Sequence, residues 1–327
     1  MSLRIIDSNA VRRALPMGAC IDQMALAMRA VSRGEVTMPS RQMIPLADGS
    51  GLLGLMPGSG RQPPAHGIKV LTLCPRNARS GRPVIQGMIA VFDPETGAPA
   101  AVIDAASVTA IRTAAVSGLA TRLLAREDAR TLALIGSGVQ AESHLEAMCA
   151  VRPITHVRVW NRTRAGAAAF CQRHDGRFGC RLDVADTAAA AVQGADIVCT
   201  VTAAAEPVVR NDWIAPGTHL NLVGSHDAQH REVDEALIAR AMLVVDHRGF
   251  AETQAGEIVA ALAAGLVSTG HFRTELGDLV QQAASPRLSS EQVTLFKSLG
   301  LVAQDLYAAD LVLRNAAAEG LGVSCPF

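Results

Sequence analysis

One short segment restricts the fold of this chain more than any other. Residues 132–141 read Leu-Ala-Leu-Ile-Gly-Ser-Gly-Val-Gln-Ala, an apolar strand that runs into G-x-G-x-x-A and then into a helical pattern. Gly136 permits the tight turn, Gly138 lets the backbone approach a pyrophosphate, and Ala141 allows close packing of helix on strand. The segment predicts a dinucleotide site with the diphosphate on the helix N-terminus, against the simpler alternative of an ordinary strand-to-helix turn.

The chain from Thr131 onward alternates short apolar runs with alanine-rich amphipathic stretches. This alternation is typical of a parallel sheet with crossover helices, as in a Rossmann fold. The strands that we expect are 131–135, 156–160, 181–182, 196–201, 219–223 and 242–245, and the helices are 139–150, 164–173 and 187–192.

The two ends of the chain have a different texture. Residues 39–64 are rich in turn-forming residues, whereas 67–73, 84–92 and 98–103 are predicted to be strands that pair antiparallel. At the far end, residues 293–318 show a helical pattern.

Composition excludes several classes of protein. Thirty Lys plus Arg balance thirty Asp plus Glu, so no overall charge attracts nucleic acid or an anionic membrane, and the aromatic residues are few. Seven cysteines without a C-x-x-C pair fit a reducing compartment. The longest apolar stretch, 258–267, is too short to span a bilayer. We therefore expect a soluble cytoplasmic protein with no metal, nucleic-acid or membrane partner.

The end of the second predicted strand indicates which dinucleotide is bound. Asn161, Arg162 and Thr163 stand where an NAD-preferring site normally places Asp or Glu. Because these side chains supply donors and positive charge for a 2′-phosphate, the sequence predicts NADP(H) as the preferred cofactor, with NAD(H) as the alternative. In the other interpretation, Arg162 and Arg164 form a solvated turn and Asn161 caps the next helix.

The sequence resembles the ornithine cyclodeaminase/mu-crystallin family over nearly its whole length. The resemblance implies an α/β fold in which a Rossmann-type NAD(P)-binding domain, 118–301, is inserted into a β-rich α+β dimerisation and substrate domain, 1–117 plus 302–327. It also implies a homodimer. The motifs that carry it are Gly54-Leu-Met-Pro57, Gly67-Ile-Lys69-Val70, Ile111-Arg112-Thr113, Gly136-Ser-Gly-Val-Gln-Ala141, Glu206-Pro207, Arg231-Glu-Val-Asp234, Glu275-Leu-Gly-Asp278 and Phe296-Lys-Ser-Leu-Gly300.

The family resemblance implies hydride exchange at a carbon that bears nitrogen and a carboxylate. The Asn-Arg-Thr segment resembles the NADPH-dependent ketimine reductase branch. We expect reduction of Δ1-pyrroline-2-carboxylate to L-proline, or of Δ1-piperideine-2-carboxylate to L-pipecolate. The alternatives are an ornithine cyclodeaminase, an alanine dehydrogenase-like enzyme, and a non-catalytic NADPH or small-ligand binder.

The resemblance also implies that Arg41, Lys69 and Arg112 bind the substrate carboxylate, since a guanidinium can hold a carboxylate through two parallel hydrogen bonds. Each residue has a plainer interpretation. Arg41 could lie on a turn, Lys69 could extend its amine to solvent, and Arg112 could cap a helix or pair with Asp104.

Residues 221–232 depart from the family pattern. Aligned through Gly224, this segment has His226 where ornithine cyclodeaminases have their proposed general base, an aspartate, and Asp227 stands one position later. The departure puts cyclodeamination in doubt. We expect Lys69, His226 and Asp227 to be the catalytic set, with His226 as the proton donor. Alternatively, His226 only contacts the nicotinamide ribose and Lys69 supports the chemistry.

The expected cofactor contacts lie around the glycine turn and at the ends of neighbouring strands. Ser298, in a segment that resembles a cofactor-approaching one, could instead belong to a helix–turn element. The full set is Arg112, Thr113, Gly136, Ser137, Gly138, Val139, Gln140, Asn161, Arg162, Thr163, Val201, Thr202 and Ser298.

Overall fold

The structure, a computed structural model, describes residues 2–282 and 286–327. It divides into two compact units: unit 1 is Met1–Arg112 with Leu301–Phe327, and unit 2 is Thr113–Gly300. The domain limits expected from the resemblance, at 117/118 and 301/302, stay a prediction.

The described residues form strands and helices along the whole chain. The strands are β1 Ser2–Ile6, β2 Val36–Thr37, β3 Gln42–Pro45, β4 Leu52–Arg61, β5 Pro64–Leu73, β6 Ile85–Phe92, β7 Pro99–Asp104, β8 Thr131–Ile135, β9 His156–Trp160, β10 Arg181–Val184, β11 Ile197–Thr200, β12 His219–Leu222, β13 Met242–Val245, β14 Thr274–Glu275, β15 Thr294–Lys297 and β16 Val323–Pro326. The helices are α1 Ser8–Ala14, α2 Met17–Ser32, α3 Ala105–Leu124, α4 Val139–Val151, α5 Arg164–His174, α6 Ala188–Val192, α7 Glu235–Arg240, α8 Arg248–Gln254, α9 Gly256–Ala263, α10 Leu276–Val280 and α11 Val302–Glu319.

Unit 1 is built on a mixed sheet in the order β16-β1-β7-β6-β5-β4-β2, with β3 also paired to β4. The strands β5 to β7 pair antiparallel, as predicted, and β4 pairs antiparallel with β5. Helix α11 packs on β4 and β5 at glycines: a Cβ on Gly58 would lie 2.6 Å from Val302 Cγ1, and one on Gly67 would lie 2.8 Å from Leu306 Cδ2. The missing side chains let the helix approach the sheet closely.

The turn-rich interpretation of residues 39–64 was wrong, because β3 and β4 occupy much of that segment. Glycine and proline usually interrupt strands. Here Gly58 and Gly60 of β4 face α11, and Pro57 sits within the strand opposite Ile68 of β5.

Unit 2 contains an all-parallel sheet in the order β10-β9-β8-β11-β12-β15-β13-β14. This confirms the predicted Rossmann-type α/β fold and its expected strands. The chain reverses its direction of winding between β8 and β11, and ligands of open α/β sheets bind outside the carboxyl ends of the strands at such a point.

The predicted helix over residues 293–318 was wrong in its first part. Residues Thr294–Lys297 form β15, which is fully buried between β12 and β13. A short apolar run fits a buried strand as well as a helix by its pattern alone. Gly300, with φ of +80°, ends the turn that separates this strand from α11.

None of the helices within residues 2–282 and 286–327 combines the length and the apolar character needed to cross a bilayer.

Candidate functional site

The glycine turn connects β8 to α4 at the reversal point of the parallel sheet. Gly136 has φ of +114°, and a Cβ there would lie 2.8 Å from the carbonyl oxygen of Val201, so only glycine fits. Gly138 is the N-cap of α4 without a side-chain capping bond, and a Cβ on it would meet no atom within 4 Å. The N-terminus of α4 is therefore open to an anion.

The turn after β9 meets the glycine turn beside Gly166. A Cβ on Gly166 would lie 2.6 Å from Asn161 Nδ2 and 2.9 Å from Thr163 Oγ1. The same position is 3.3 Å from Ser137 Oγ. The structure thus brings together three of the residues expected to bind the cofactor.

The two arginines of this turn differ in their partners. Arg164 pairs with Asp186, whereas Arg162 is exposed and forms no hydrogen bond or ion pair with the described residues. Asn161 donates from Nδ2 to Thr163 Oγ1 at 3.0 Å, and the N-cap of α5 is Thr163. The interpretation as part of a solvated turn therefore fits Arg164, whereas the charge of Arg162 remains available to bind an anion.

Two buried polar atoms near the strand ends fit a dinucleotide as well. Gln140 Oε1 and Ser298 Oγ have no hydrogen-bond partner among the described residues. Thr202 differs, because its N–H and its hydroxyl both donate to Glu232 at 2.7 Å. The turn at Gly136 and Gly138, the open N-terminus of α4 and these two atoms without partners are all features that a dinucleotide could use.

Unit 1 buries a cluster of charged side chains centred on Asp305 of α11. Lys69 donates from Nζ to Asp305 Oδ2 at 2.5 Å, and Arg112 donates from Nε to Asp305 Oδ1 at 2.8 Å. Arg112 also donates from Nη1 to Gln304 Oε1 at 2.7 Å. Lys69 is 2% exposed and Asp305 is fully buried. The carboxylate of Asp305 therefore holds Lys69 and Arg112 beside α11, largely out of contact with solvent.

Burial lowers the pKa of Lys69 to about 8, although the charge of Asp305 opposes the change and Arg112 and Arg41 add to it. Burial alone would raise the pKa of Asp305, but Arg112 and Lys69 offset it and hold that pKa below its usual value. The cluster therefore contains an anion, two permanent or near-permanent cations, and the nearby charge of Arg41.

Donors are left over in this cluster. The ammonium of Lys69 donates one hydrogen bond within the described structure, and Nη2 of Arg112 donates none. Since one carboxylate faces two cations, the cluster has a net positive charge as well as unused N–H groups. An incoming carboxylate would satisfy both.

These contacts overturn two of the plainer interpretations. Lys69 does not extend to solvent, and Arg112 lies within α3 rather than at its start and pairs with Asp305 rather than Asp104. The carboxylate of Asp104 instead accepts the N–H of Ser107 at 2.8 Å. Arg41 lies half-buried just before β3, and its role stays a prediction.

Sequence reasoning missed Asp305, which lies 236 residues from its partner Lys69. One signal could have drawn attention to the cluster. Twenty-eight of the thirty basic residues are arginine, and the only lysines are Lys69 and Lys297. A lysine in such a chain marks a position where a compact ammonium is needed.

The loop after β12 contains the two candidates for proton transfer. His226 is exposed. Asp227 accepts through Oδ1 from the N–H of Gln229 at 2.9 Å, the N–H of His230 at 3.1 Å and the ring of His230 at 2.8 Å. Its carboxylate thus holds the loop, and hydrogen bonds from His230 outweigh burial and lower its pKa.

Within residues 2–282 and 286–327, no three His, Cys, Asp or Glu side chains are grouped so as to hold a metal ion.

The parallel sheet, its glycine turn and the cradle at the reversal point define a Rossmann-type α/β protein with a second, β-rich unit. The chain belongs to the ornithine cyclodeaminase/mu-crystallin family, whose model matches residues 4–320.

Several known proteins are similar to the chain over most or all of its length. A Delta(1)-pyrroline-2-carboxylate reductase of Bacillus cereus is 34% identical over 324 residues, 99% of both chains. The ketimine reductase mu-crystallin of Mus musculus is 37% identical over 279 residues, 85% of each. The structure of Thermococcus litoralis Delta(1)-pyrroline-2-carboxylate reductase in complex with NADH and L-proline has a TM-score of 0.93 and 32% identity, and covers 98% of this chain and 99% of that one.

Proposed function

We propose that the protein is a nicotinamide-dependent reductase of cyclic ketimine 2-carboxylates, with Δ1-pyrroline-2-carboxylate as substrate and L-proline as product. The observation that carries this proposal is the buried cluster of Lys69 and Arg112 on Asp305, with its positive charge and unused donors. Relatives at 34% and 37% identity are named as reductases of such imines, which supports the same substrate class.

The residues of unit 1 bind and orient the substrate in this proposal. Arg112 offers Nη2 to the carboxylate, and Lys69 offers its remaining N–H groups, with Arg41 adding positive charge. Asp305 holds both cations in place before the substrate arrives, so little reorganisation accompanies binding.

A proton must reach the imine nitrogen, and two side chains can hold it. Lys69, with a pKa of about 8, is protonated at neutral pH yet can release its proton more readily than an ordinary lysine. His226 is the other donor, because it lies exposed in the loop after β12 and a protonated imidazole can donate a proton. A reduced nicotinamide cofactor would supply the hydride, and the glycine turn and the open end of α4 would hold its diphosphate.

We infer NADPH as the preferred form of the cofactor, from the unpaired charge of Arg162 and from Asn161 and Thr163 beside Ser137. The Thermococcus litoralis relative was solved with NADH. A comparison of kcat/KM for NADPH and NADH decides the point, and a clear preference for NADH would contradict the inference.

We also infer a homodimer. Lys69 and Ile89 face α11, so neighbouring positions on each strand face the other side of the sheet of unit 1. That side is apolar and partly exposed, and such faces mark interaction sites. Its side chains include Ile44, Leu53, Leu55, Val70 and Met88. A monomeric wild-type protein in light scattering would contradict the inference.

A substrate panel tests the proposal against its rivals. The purified protein is given Δ1-pyrroline-2-carboxylate or Δ1-piperideine-2-carboxylate with NADPH, and L-ornithine or L-alanine with NAD. We expect NADPH to be consumed with the cyclic imines. Ammonia release from ornithine without imine reduction would indicate a cyclodeaminase, and tight NADPH binding without turnover of any substrate would indicate a binding protein.

A further inference from the structure

A second buried ion pair lies in unit 2. Lys297, at the carboxyl end of β15, lies 3.1 Å from Glu257 Oε2 on α9, and both side chains are fully buried. Lys297 also donates from Nζ to Ser225 O at 2.7 Å and to Ser225 Oγ at 2.5 Å. The hydroxyl of Ser225 in turn donates to Glu257 Oε1 at 2.5 Å.

The ammonium of Lys297 makes three close contacts. Two are hydrogen bonds to Ser225, and the third is an ion pair with Glu257, whose Oε2 has no hydrogen-bond partner among the described residues. Burying such a pair rarely stabilises a protein more than apolar side chains of the same volume would. The chain otherwise uses arginine almost throughout, so the choice of lysine here points to a function that needs a compact ammonium.

The cluster fixes the loop that follows β12 at several points. Glu257 Oε1 also accepts the N–H of Glu232 at 3.0 Å. The carboxylate of Glu232 accepts the N–H of Gly224 at 2.7 Å and the hydroxyl of Thr200 at 2.6 Å. Two buried carboxylates therefore tie both ends of the loop 224–232 to the sheet.

Close packing restricts the middle of the same loop. A Cβ on Gly256, the first residue of α9, would lie 2.1 Å from the carbonyl oxygen of His230 and 3.0 Å from that of Asp227. The backbone around His226 is thus clamped on both sides, while His226 itself is exposed.

We propose that Lys297 is a positioning residue: held by Glu257, its ammonium fixes the carbonyl and hydroxyl groups of Ser225 and so sets the direction of the next side chain, His226. This inference rests on the proposed function, in which His226 is a candidate proton donor. Lys297 acts through Ser225 and is not itself a proton donor in the reaction.

Hydrogen exchange tests the positioning without reference to activity. Lys297→Met removes the ammonium and keeps the length of the side chain. We expect amides of the loop 224–230 to exchange at least about tenfold faster, with β8 unchanged. The matched control is Thr294→Val, which removes a buried hydrogen-bonding group from the same strand far from the loop. Unchanged exchange in the loop would overturn the proposal.

If Lys297→Met does not fold, a second variant tests the same proposal. The double variant Lys297→Met/Glu257→Gln removes both buried charges and keeps an amide oxygen to accept the N–H of Glu232. It should fold and show the same faster exchange in the loop, and a loop as protected as that of the wild type would again overturn the proposal.

A double-mutant cycle on kcat then tests the coupling to His226. If Lys297 acts through His226, Lys297→Met lowers kcat about tenfold or more in the wild type and little in a His226→Ala background, with the Kd for NADPH unchanged in each. Additive effects in an active enzyme would overturn the positioning role and leave the proposed function standing. A wild type that reduces no imine would overturn the proposed function, and hydrogen exchange would still decide the role of Lys297.

Discussion

The two lysines of this chain are both buried against a carboxylate, yet their surroundings differ. Lys69 in unit 1 gives one hydrogen bond to Asp305 and shares that carboxylate with Arg112. Lys297 in unit 2 gives two hydrogen bonds to Ser225 and pairs with a carboxylate, Glu257, that pairs with no other cation among the described residues.

The difference is one of charge: two cations share the carboxylate of Asp305, whereas one cation pairs with the carboxylate of Glu257. Buried polar groups are normally satisfied, so spare donors beside an excess of positive charge indicate a missing anionic partner. The cluster around Lys297 has no excess of positive charge, because one ammonium pairs with one carboxylate. Substitutions in the two clusters should therefore affect different quantities. Those in the cluster on Asp305 should change substrate binding and chemistry, and those around Lys297 should change the geometry of the loop 224–232.

The largest effect should come from Asp305→Asn, which leaves Lys69 and Arg112 buried without their counter-charge. Breaking a buried pair from one side typically costs about 3 to 5 kcal/mol, and urea unfolding should show a loss of that size. The control is Asp310→Asn on the same helix, whose partly exposed pair with Arg314 is worth about 1 kcal/mol or less. Equal losses in the two variants would contradict the account of the cluster.

Lys69→Met should next lower kcat/KM for the ketimine by about a hundredfold or more, because it removes a carboxylate contact and a proton donor. In the wild type, kcat/KM should fall as pH rises through about 8, since the pKa of Lys69 is lowered to that value and the deprotonated amine cannot donate. Lys69→Arg keeps the positive charge at this pH, so the fall in kcat/KM near pH 8 should disappear in that variant. If the fall persists in Lys69→Arg, another group must be responsible for it.

A smaller effect is expected in unit 2 from Asn161→Asp. A carboxylate there would repel a 2′-phosphate and accept hydrogen bonds from a ribose, so preference should shift toward NADH by about tenfold or more. Arg164→Ala serves as the control, because Arg164 already pairs with Asp186 and should leave the preference unchanged. The same NADPH/NADH ratio in Asn161→Asp and wild type would remove this turn from cofactor selection.

The smallest effect should come from Asp227→Asn. The amide oxygen can accept the same three hydrogen bonds as Asp227 Oδ1, so kcat should change by less than about threefold. A large loss of kcat with an unchanged Kd for NADPH would instead make Asp227 a base.

The two units differ in how much of them the sequence could predict. The predicted dinucleotide site is local, because its strand, glycine turn and helix follow one another within residues 131–151, and the parallel sheet repeats the same pattern. The cluster on Asp305 is not local, since its members are 193 and 236 residues apart. A family resemblance indicated two of its members, but nothing in the spacing indicated the carboxylate that joins them.

The structure differs from the sequence-based prediction in β4 and β15, where contacts with distant parts of the chain determine the local structure. Gly58 and Gly60 of β4 suggested turns, because their contacts are with α11, at the other end of the chain. Residues Thr294–Lys297 read as helix because their strand partners, β12 and β13, lie far away in the sequence. Lys297 lies at the end of that strand, so its contact with Ser225 could not be predicted before the strand was placed.

One measurement tests the central claim most directly: the fate of deuterium when the wild-type protein reduces Δ1-pyrroline-2-carboxylate with NADPH that carries deuterium in both C4 positions of the nicotinamide. We predict L-proline with one deuterium at its α-carbon, formed at least about a hundredfold more slowly at low substrate concentration when Lys69 is replaced by Met. Unlabelled proline, or no proline despite saturating NADPH, would contradict the assignment of the chain as a ketimine reductase.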